Sequence, residues 1–334
     1  MKPSSVAKTI TTCYRVKQPL MIWGPPGVGK SQVTAQVAVA LGCQCIDLRL
    51  PLLDAVDLRG IPTVNNGTTK WLPPSFLPTK GKGILFLDEI VQGQQIVQAA
   101  ASQLILDRRV GDYVLPEGWY VLAAGNRETD RAATNKMPSH IANRFVHVNF
   151  EVDFEDWCTH ALGADFDPAV IAFLSMRPEL LHQFDPAKKA YPTPRSWEFV
   201  SKILQSNQLP EECFLEVLNG TVGEGAAVEF AGFFRVYRDL PEYEEIVKKP
   251  ATAKLPTNAA GLYAVSTMLA VRGTAKDAKP VFTYLERLPK EFQITTARLI
   301  AKRNTDMAET QSYIKWQVQN KEVYLNRPDA KVSA

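Results

Sequence analysis

Short apolar runs separated by glycine-rich or polar residues recur in the first half of the chain. Three of these runs have the length and composition of buried parallel strands: Leu20–Trp23, Ile84–Leu87 and the run that ends before Asn126. Apolar residues return at helical spacing over residues 31–41, directly after the first run. The alternation of short strands with helical segments predicts an α/β fold around a parallel sheet.

The last third of the chain has a different pattern. From Glu211 onward the periodicity is mostly helical, and "GLYAVSTMLAVR" and "FQITTARLIAKR" read as amphipathic helices. Prolines divide this region into short segments, which favours compact helical packing over one long coiled coil. No set of residues with a catalytic pattern occurs there.

Composition narrows the class of protein. The chain has 334 residues, of which 46% are hydrophobic, enough for a substantial core. The net charge of +3 is too small to indicate a nucleic-acid partner by itself. Basic residues outnumber acidic ones from Ala251 onward, and this excess is the only support for a nucleic-acid partner. Such a partner is therefore less favoured than a protein.

The cysteines and the first residues indicate a cytoplasmic protein. The five cysteines have no zinc-site spacing, and Cys43 and Cys45, beside a predicted strand, are expected to be buried. The N-terminal residues lack the apolar core of a signal peptide, and no run is long enough to span a membrane. No metal-ligand spacing involves the four histidines.

Residues 24–31 fit the pattern G-x-x-x-x-G-K-[ST] between a predicted strand and a predicted helix. Glycines let backbone N–H groups turn toward phosphate oxygens, and the helix N-terminus adds a positive dipole. A lysine and a hydroxyl at the end of such a loop neutralise the β- and γ-phosphates and hold Mg²⁺. The predicted nucleotide-binding residues are Gly24, Pro25, Pro26, Gly27, Val28, Gly29, Lys30 and Ser31.

Polar residues follow the other two predicted strands. Asp88 is predicted to hold Mg²⁺ together with Ser31, and Glu89 to activate the attacking water as a general base. Asn126 could orient that water. The alternatives are that Asp88 and Glu89 cap the next helix, and that Asn126 only begins a turn.

These three motifs, in this order, resemble Walker A, Walker B and sensor 1 of the AAA+ ATPases. "MPSHIANRFVHVNF" resembles the segment that carries an arginine finger, which indicates Arg144. Arg131 is a weaker candidate for the same role. "YPTPRSWEFVSKIL" resembles a sensor 2 helix with Arg195, whose charge at a helix N-terminus is unfavourable unless it meets an anion. Both arginines could instead be ordinary surface cations.

Further segments resemble the MoxR branch of AAA+ proteins. They are "DAVDLRGIPTV", "WLPPSFLP", "LDEIVQGQQIVQAAASQLILDRRVGDYVLP" and "AAGNRETDRA". The resemblance covers roughly residues 20 to 205. It implies a five-stranded parallel sheet and a helical lid. The expected domains are 1–152 with an insertion at about 50–82, a lid at 153–208, and a helical extension at 209–334.

The insertion contains several prolines, which exclude one long helix, and reads as an extended loop. Trp71, Leu72 and Phe76 lie on it. They could grip a partner in the pore of a ring, or fold back onto the sheet as a local core. After it, Tyr113–Leu115 reads as a hairpin strand.

The resemblance implies a homo-oligomeric ring, most often a hexamer, that binds ATP and Mg²⁺ between subunits and hydrolyses the ATP. MoxR-type proteins work with a von Willebrand A partner that binds metal through Asp-x-Ser-x-Ser. This sequence lacks that motif, so the partner is expected to be a separate chain and the ATPase to remodel or activate a protein complex through it. The alternatives are a nucleic-acid-acting AAA+ motor, a nucleotide-gated scaffold with little hydrolysis and, least favoured, a P-loop kinase.

Overall fold

The computed structural model describes residues 1–127, 130 and 137–321, and the chain divides into two compact units. The first unit is Met1–Asp153, and the second begins at Phe154. The expected further division at 208, between a lid and an extension, stays a prediction.

The strands of the first unit are β1 (Leu20–Trp23), β2 (Gln44–Arg49), β3 (Ile61–Asn65), β4 (Thr68–Leu72), β5 (Gly83–Asp88), β6 (Arg109–Val110), β7 (Tyr113–Val114), β8 (Trp119–Gly125) and β9 (Val146–Asn149). Five of them form a parallel sheet, as expected, in the order β2-β5-β8-β1-β9. The helices of this unit are α1 (Pro3–Val16), α2 (Lys30–Ala40), α3 (Ala55–Arg59), α4 (Gln95–Asp107) and α5 (Ser139–Ala142).

Both faces of the sheet are covered, which explains why β5 is buried at every position. Successive side chains of a strand point to opposite faces. Ile84 and Phe86 therefore join the core that contains residues of α1 and α2, while Leu85 and Leu87 join the core that contains residues of α4. The three strands that end in the predicted motifs, β1, β5 and β8, are the central three.

The insertion is more regular than the extended loop that we expected. It contains helix α3 and an antiparallel hairpin of β3 and β4. Phe76 packs against the core, and the half-buried Trp71 donates its backbone N–H to Asp112 Oδ2 at 2.8 Å, whereas Leu72 is exposed. Only part of the insertion therefore folds back. The predicted hairpin near Tyr113 is present as β6 and β7.

The second unit is helical in the part that the structure describes. Its helices are α6 (Phe154–Gly163), α7 (Pro168–Met176), α8 (Pro194–Ser206), α9 (Phe214–Val222), α10 (Glu224–Arg238), α11 (Tyr243–Lys248), α12 (Ala259–Arg272), α13 (Ala278–Leu285), α14 (Lys290–Arg303), α15 (Thr305–Ala308) and α16 (Gln311–Gln319). Both helices expected there, α12 and α14, are found. However, α12 is buried along most of its length, Gly261 to Ala270, so it is a central helix and not an amphipathic surface helix.

Two cysteines, Cys43 and Cys45, are more exposed than the sequence indicated. Cys45 is exposed and Cys43 only partly buried, so the expected burial of both was wrong. The reason is that β2 is an edge strand, whose position in the sheet the local sequence does not show.

Over residues 1–127, 130 and 137–321, no helix is long and apolar enough to cross a membrane.

Candidate functional site

The glycine-rich loop between β1 and α2 has the backbone conformation of a phosphate cradle. Gly27 and Gly29 have positive φ angles of 78° and 100°, which other residues rarely adopt. Gly29 is the residue before the first turn of α2, so the loop leads directly into a helix N-terminus. At the other end, Gly24 N donates to Gly125 O at 3.2 Å, which fixes the start of the loop to β8.

Lys30 is buried, with 8% of its surface exposed, and its side chain turns back to the carbonyl oxygens of this loop. Its Nζ donates to Gly24 O at 2.6 Å, to Pro25 O at 2.9 Å and to Asn126 Oδ1 at 3.1 Å. Asn126 is also buried. The structure therefore places the lysine of the loop against the asparagine that follows β8, as expected if both act on one phosphate group.

Ser31 and Asp88 form the second pair of the site. Ser31 Oγ donates to Asp88 Oδ2 at 2.8 Å. The other carboxylate oxygen, Oδ1, accepts from Glu89 N at 2.9 Å. A hydroxyl and a carboxylate supply the oxygen ligands that Mg²⁺ prefers. These two side chains, which lie 57 positions apart in sequence, thus form a donor set suited to that ion.

Glu89 differs from Asp88 in exposure and in backbone conformation. Its side chain is exposed, whereas Asp88 is 7% exposed. Its φ is 55°, in the left-handed region that non-glycine residues seldom occupy. Ile90 N donates to Ala124 O at 3.0 Å, and Gln92 N donates back to Glu89 O at 2.9 Å, so hydrogen bonds hold the backbone on the C-terminal side of Glu89. Backbone strain of this kind concentrates at functional sites.

Asp47 is a carboxylate near this site that the sequence did not indicate. Burial raises its pKa, the charge on Asp88 raises it further, Arg49 opposes this, and Glu89 adds to it. The sequence does show two charged residues, Asp47 and Arg49, two positions apart in a strand. Only the pairing of β2 with β5 shows that they lie near Asp88 and Glu89.

The candidate arginines Arg144 and Arg195 both occupy exposed positions. Arg144 is exposed on the turn after α5, and its side chain makes no ion pair with any residue that the structure describes. Arg195 is exposed at the second position of α8, in the second unit. Arg131 lies outside the described residues. The roles of all these arginines stay predictions.

Comparison with known proteins finds a family that is similar to part of the first unit. Residues 19–145 match the family model of the AAA domain, dynein-related subfamily. This part of the chain is similar to AAA domains. The matched range includes the phosphate loop, Asp88, Glu89 and Asn126, and it ends just after Arg144.

Two curated proteins are similar to parts of this chain. Midasin of Giardia intestinalis is 24% identical over 178 residues, which are 49% of this chain and 4% of midasin. Protein NorQ of Paracoccus denitrificans is 26% identical over 145 residues, which are 40% of this chain and 52% of NorQ. The chain thus aligns with about half of NorQ and a small fraction of midasin. With the AAA match, NorQ confirms the resemblance to MoxR-like AAA+ ATPases.

Two solved structures are similar to this chain only to a limited extent. The RuvB Holliday junction branch migration motor of Thermotoga maritima has a TM-score of 0.37 and 16% identity, covering 74% of each chain. NtrX of Brucella abortus, solved in complex with ADP, has a TM-score of 0.40 and 14% identity, covering 95% of this chain and 68% of NtrX.

Proposed function

We propose that this MoxR-like AAA+ protein hydrolyses ATP with Mg²⁺ in a ring of identical subunits, and that it remodels or activates a protein complex. The observation that carries the proposal is the convergence of Lys30, Asn126, Ser31 and Asp88 at one end of the sheet, with Glu89 next to them. A nucleotide-gated scaffold needs the loop and the lysine, but it needs neither a base nor an arginine from a neighbour.

Each residue at the carboxyl ends of the central strands has a proposed role that its contacts support. Lys30 would bind the β- and γ-phosphates, and its hydrogen bond to Asn126 keeps the ammonium beside a residue that can orient the attacking water. Ser31 and Asp88 would hold Mg²⁺, which neutralises charge on the phosphates when bound. Glu89, exposed beside Asp88, would accept the proton of the attacking water.

The exposed Arg144 supports a site shared between subunits. A buried or paired arginine would have a structural reason for its place, but Arg144 makes no ion pair within the described part of the chain. An arginine supplied by a neighbour is typically worth about 10³ to 10⁵ in turnover. A single subunit should accordingly be a poor ATPase.

The proposed partner is a protein with a von Willebrand A domain, because the MoxR-type proteins that this chain resembles work with such a partner. The exposed Leu72 and Val64 of the β3–β4 hairpin are apolar groups that could contact such a partner or its client. If the proposal is right, the partner protein should change the ATPase rate of the ring.

The test is to measure molar mass and ATPase rate on the same samples over a series of protein concentrations, with and without ATP and Mg²⁺. We expect the rate per subunit to rise as the mass shifts from monomer to ring. A rate per subunit that is constant while the protein stays monomeric would exclude the shared site. Ring formation without hydrolysis would favour the scaffold.

A further inference from the structure

His147 makes hydrogen bonds with both of its ring nitrogens. The indole Nε1–H of Trp23 donates to His147 Nδ1 at 2.9 Å, with the two rings within 15° of parallel. His147 Nε2 lies 2.8 Å from Ala142 O. Because the indole nitrogen can only donate, Nδ1 must be the acceptor, and in the neutral ring the proton is then on Nε2 and donates to Ala142. One histidine tautomer satisfies both contacts.

The Trp23 end of this bridge belongs to the nucleotide site. Trp23 is the last residue of β1 and is followed directly by Gly24, the first residue of the phosphate loop. Its ring also faces β8, since a Cβ added to Gly125 would lie 3.7 Å from Trp23 Cζ3. Gly125 precedes Asn126. Trp23 thus contacts two segments that carry proposed nucleotide-binding residues.

The Ala142 end belongs to the segment that carries Arg144. Ala142 is the last residue of α5, and its carbonyl oxygen also accepts from Phe145 N at 3.1 Å. Arg144 lies inside that turn, and its own carbonyl accepts from Gln18 Nε2 at 2.9 Å. The backbone of Arg144 is therefore held on both sides, while its side chain is exposed.

We propose that His147 is a positioning residue for Arg144: it connects the strand that begins the phosphate loop to the turn that presents this arginine. Nucleotide bound at one subunit's loop would then influence, through Trp23 and His147, the arginine that this subunit offers to its neighbour. The proposal rests on the function proposed above. It concerns coupling between adjacent sites, and His147 itself touches no reacting atom.

The test uses rings mixed from two inactive variants. Glu89→Gln subunits should not hydrolyse ATP but still present Arg144, and Arg144→Ala subunits should keep their own base but present no arginine. Together they should regain activity, because Glu89→Gln subunits complete the sites of Arg144→Ala subunits. Failure to regain activity would overturn the shared site itself, and the role of His147 with it.

His147→Phe, which keeps a ring but removes both nitrogens, is then added to one variant at a time. In the arginine-donating Glu89→Gln subunit, it should lower the turnover of mixed rings about three- to tenfold, the scale of one hydrogen bond. In the Arg144→Ala subunit, the same change should alter turnover less than about twofold. An equal loss of turnover whichever subunit carries His147→Phe would show a merely structural role. No loss of turnover when the arginine-donating subunit carries it would contradict the coupling.

Trp23→Phe provides a second variant, which removes the N–H donor of the bridge but keeps an aromatic ring in its place. In the arginine-donating subunit it should reproduce the loss caused by His147→Phe. A donor subunit with both Trp23→Phe and His147→Phe should lower turnover no more than a donor subunit with either change alone, because the two residues act through one contact. Additive losses would overturn the inference, and so would normal turnover with Trp23→Phe. Ring mass and melting temperature, measured for each variant, separate these results from misfolding.

Discussion

Lys30 Nζ donates a hydrogen bond of 3.1 Å to Asn126 Oδ1, which joins the first residue of α2 to the residue that follows β8. The contact lies in the interior, and both side chains are buried. It ties the lysine of the phosphate loop to the proposed sensor of the phosphate group, so the charge at position 126 should control how available Lys30 is to a nucleotide.

Asn126→Asp should weaken ATP binding by at least about tenfold. The change puts a carboxylate where the amide oxygen now accepts from Lys30, and a charged pair in a poorly solvated site competes strongly with phosphate. Titration with a fluorescent ATP analogue measures this. Asn126→Ala is the matched variant: it removes one of the acceptors and should leave the Kd within about threefold while turnover falls. Unchanged affinity in Asn126→Asp would contradict the proposed position of the phosphate.

Glu89→Gln should retain ATP binding and lose turnover by about 10² to 10⁴, the range for removing a general base. Glutamine keeps the shape of the side chain but cannot accept the proton. Single-turnover hydrolysis, with ATP affinity measured in parallel, separates chemistry from binding. The control is Glu117→Gln, an exposed glutamate before β8, which should behave as wild type. Near-normal turnover in Glu89→Gln would remove Glu89 from the role of base.

Gly83→Ala should destabilise the first unit by about 1 to 3 kcal/mol, the usual cost of overpacking. A Cβ at this position would lie 2.5 Å from Trp119 Cζ3 and 2.7 Å from Gln44 O, where β5 is paired on both sides. Chemical denaturation followed by Trp fluorescence checks this.

Gly220→Ala is the matched control for that substitution. Gly220 lies within α9 and an added Cβ would have no atom within 4 Å, so this change should stabilise by about 0.5 to 1 kcal/mol. If both substitutions had the same effect, the packing of Trp119 against Gly83 would not be as described.

Asp47→Asn should raise the melting temperature at neutral pH. The folded protein raises the pKa of Asp47 through burial and through Asp88, so the folded state holds its proton more tightly than the unfolded chain. Stability therefore falls as pH rises through the interval between the unfolded pKa, near 3.8, and the raised value. Above that interval the wild type carries the full cost of a carboxylate charge that is partly desolvated and lies close to Asp88, and asparagine removes this cost.

The advantage of Asp47→Asn should shrink as the pH falls and should vanish below about 3.8, where Asp47 is protonated in both states. Melting curves between pH 3 and 8 measure this, with Glu117→Gln as a control for loss of one negative charge. An advantage that is independent of pH would show that the charge on Asp47 is not its cause.

Arg195→Ala should have opposite effects on stability and activity. A cation at a helix N-terminus is unfavourable by about 0.3 to 1 kcal/mol, so its removal should slightly stabilise α8, whose Thr193 cap is unaffected. Turnover should fall at least about tenfold if Arg195 contacts phosphate. Lys202→Ala, on the same helix, should lose the ion pair with Glu198 and leave turnover unchanged. Unchanged turnover in Arg195→Ala would assign this arginine to the surface.

The local sequence was sufficient to predict the motifs and most of the elements around them. The run Ile84–Leu87 was predicted as a strand because four apolar residues in succession suit a strand covered on both faces, and β5 is such a strand. The loop 24–31 could be interpreted from its glycines, and the structure has positive φ angles at two of them, Gly27 and Gly29. These features depend on residues close together in the chain, and their physical causes are local.

The contacts between motifs were decided by the tertiary structure. Cys45 was expected to be buried, but β2 lies at an edge of the sheet. The pKa of Asp47 is raised by partial desolvation and then by the charge on Asp88, which the pairing of β2 with β5 brings near. The bridge from Trp23 through His147 to Ala142 spans more than a hundred positions, and no periodicity encodes it. The sequence by itself thus determined the loop, the strands and the candidate chemistry. Strand order determined which side chains meet, because hydrogen bonds and charges act through space and not along the chain.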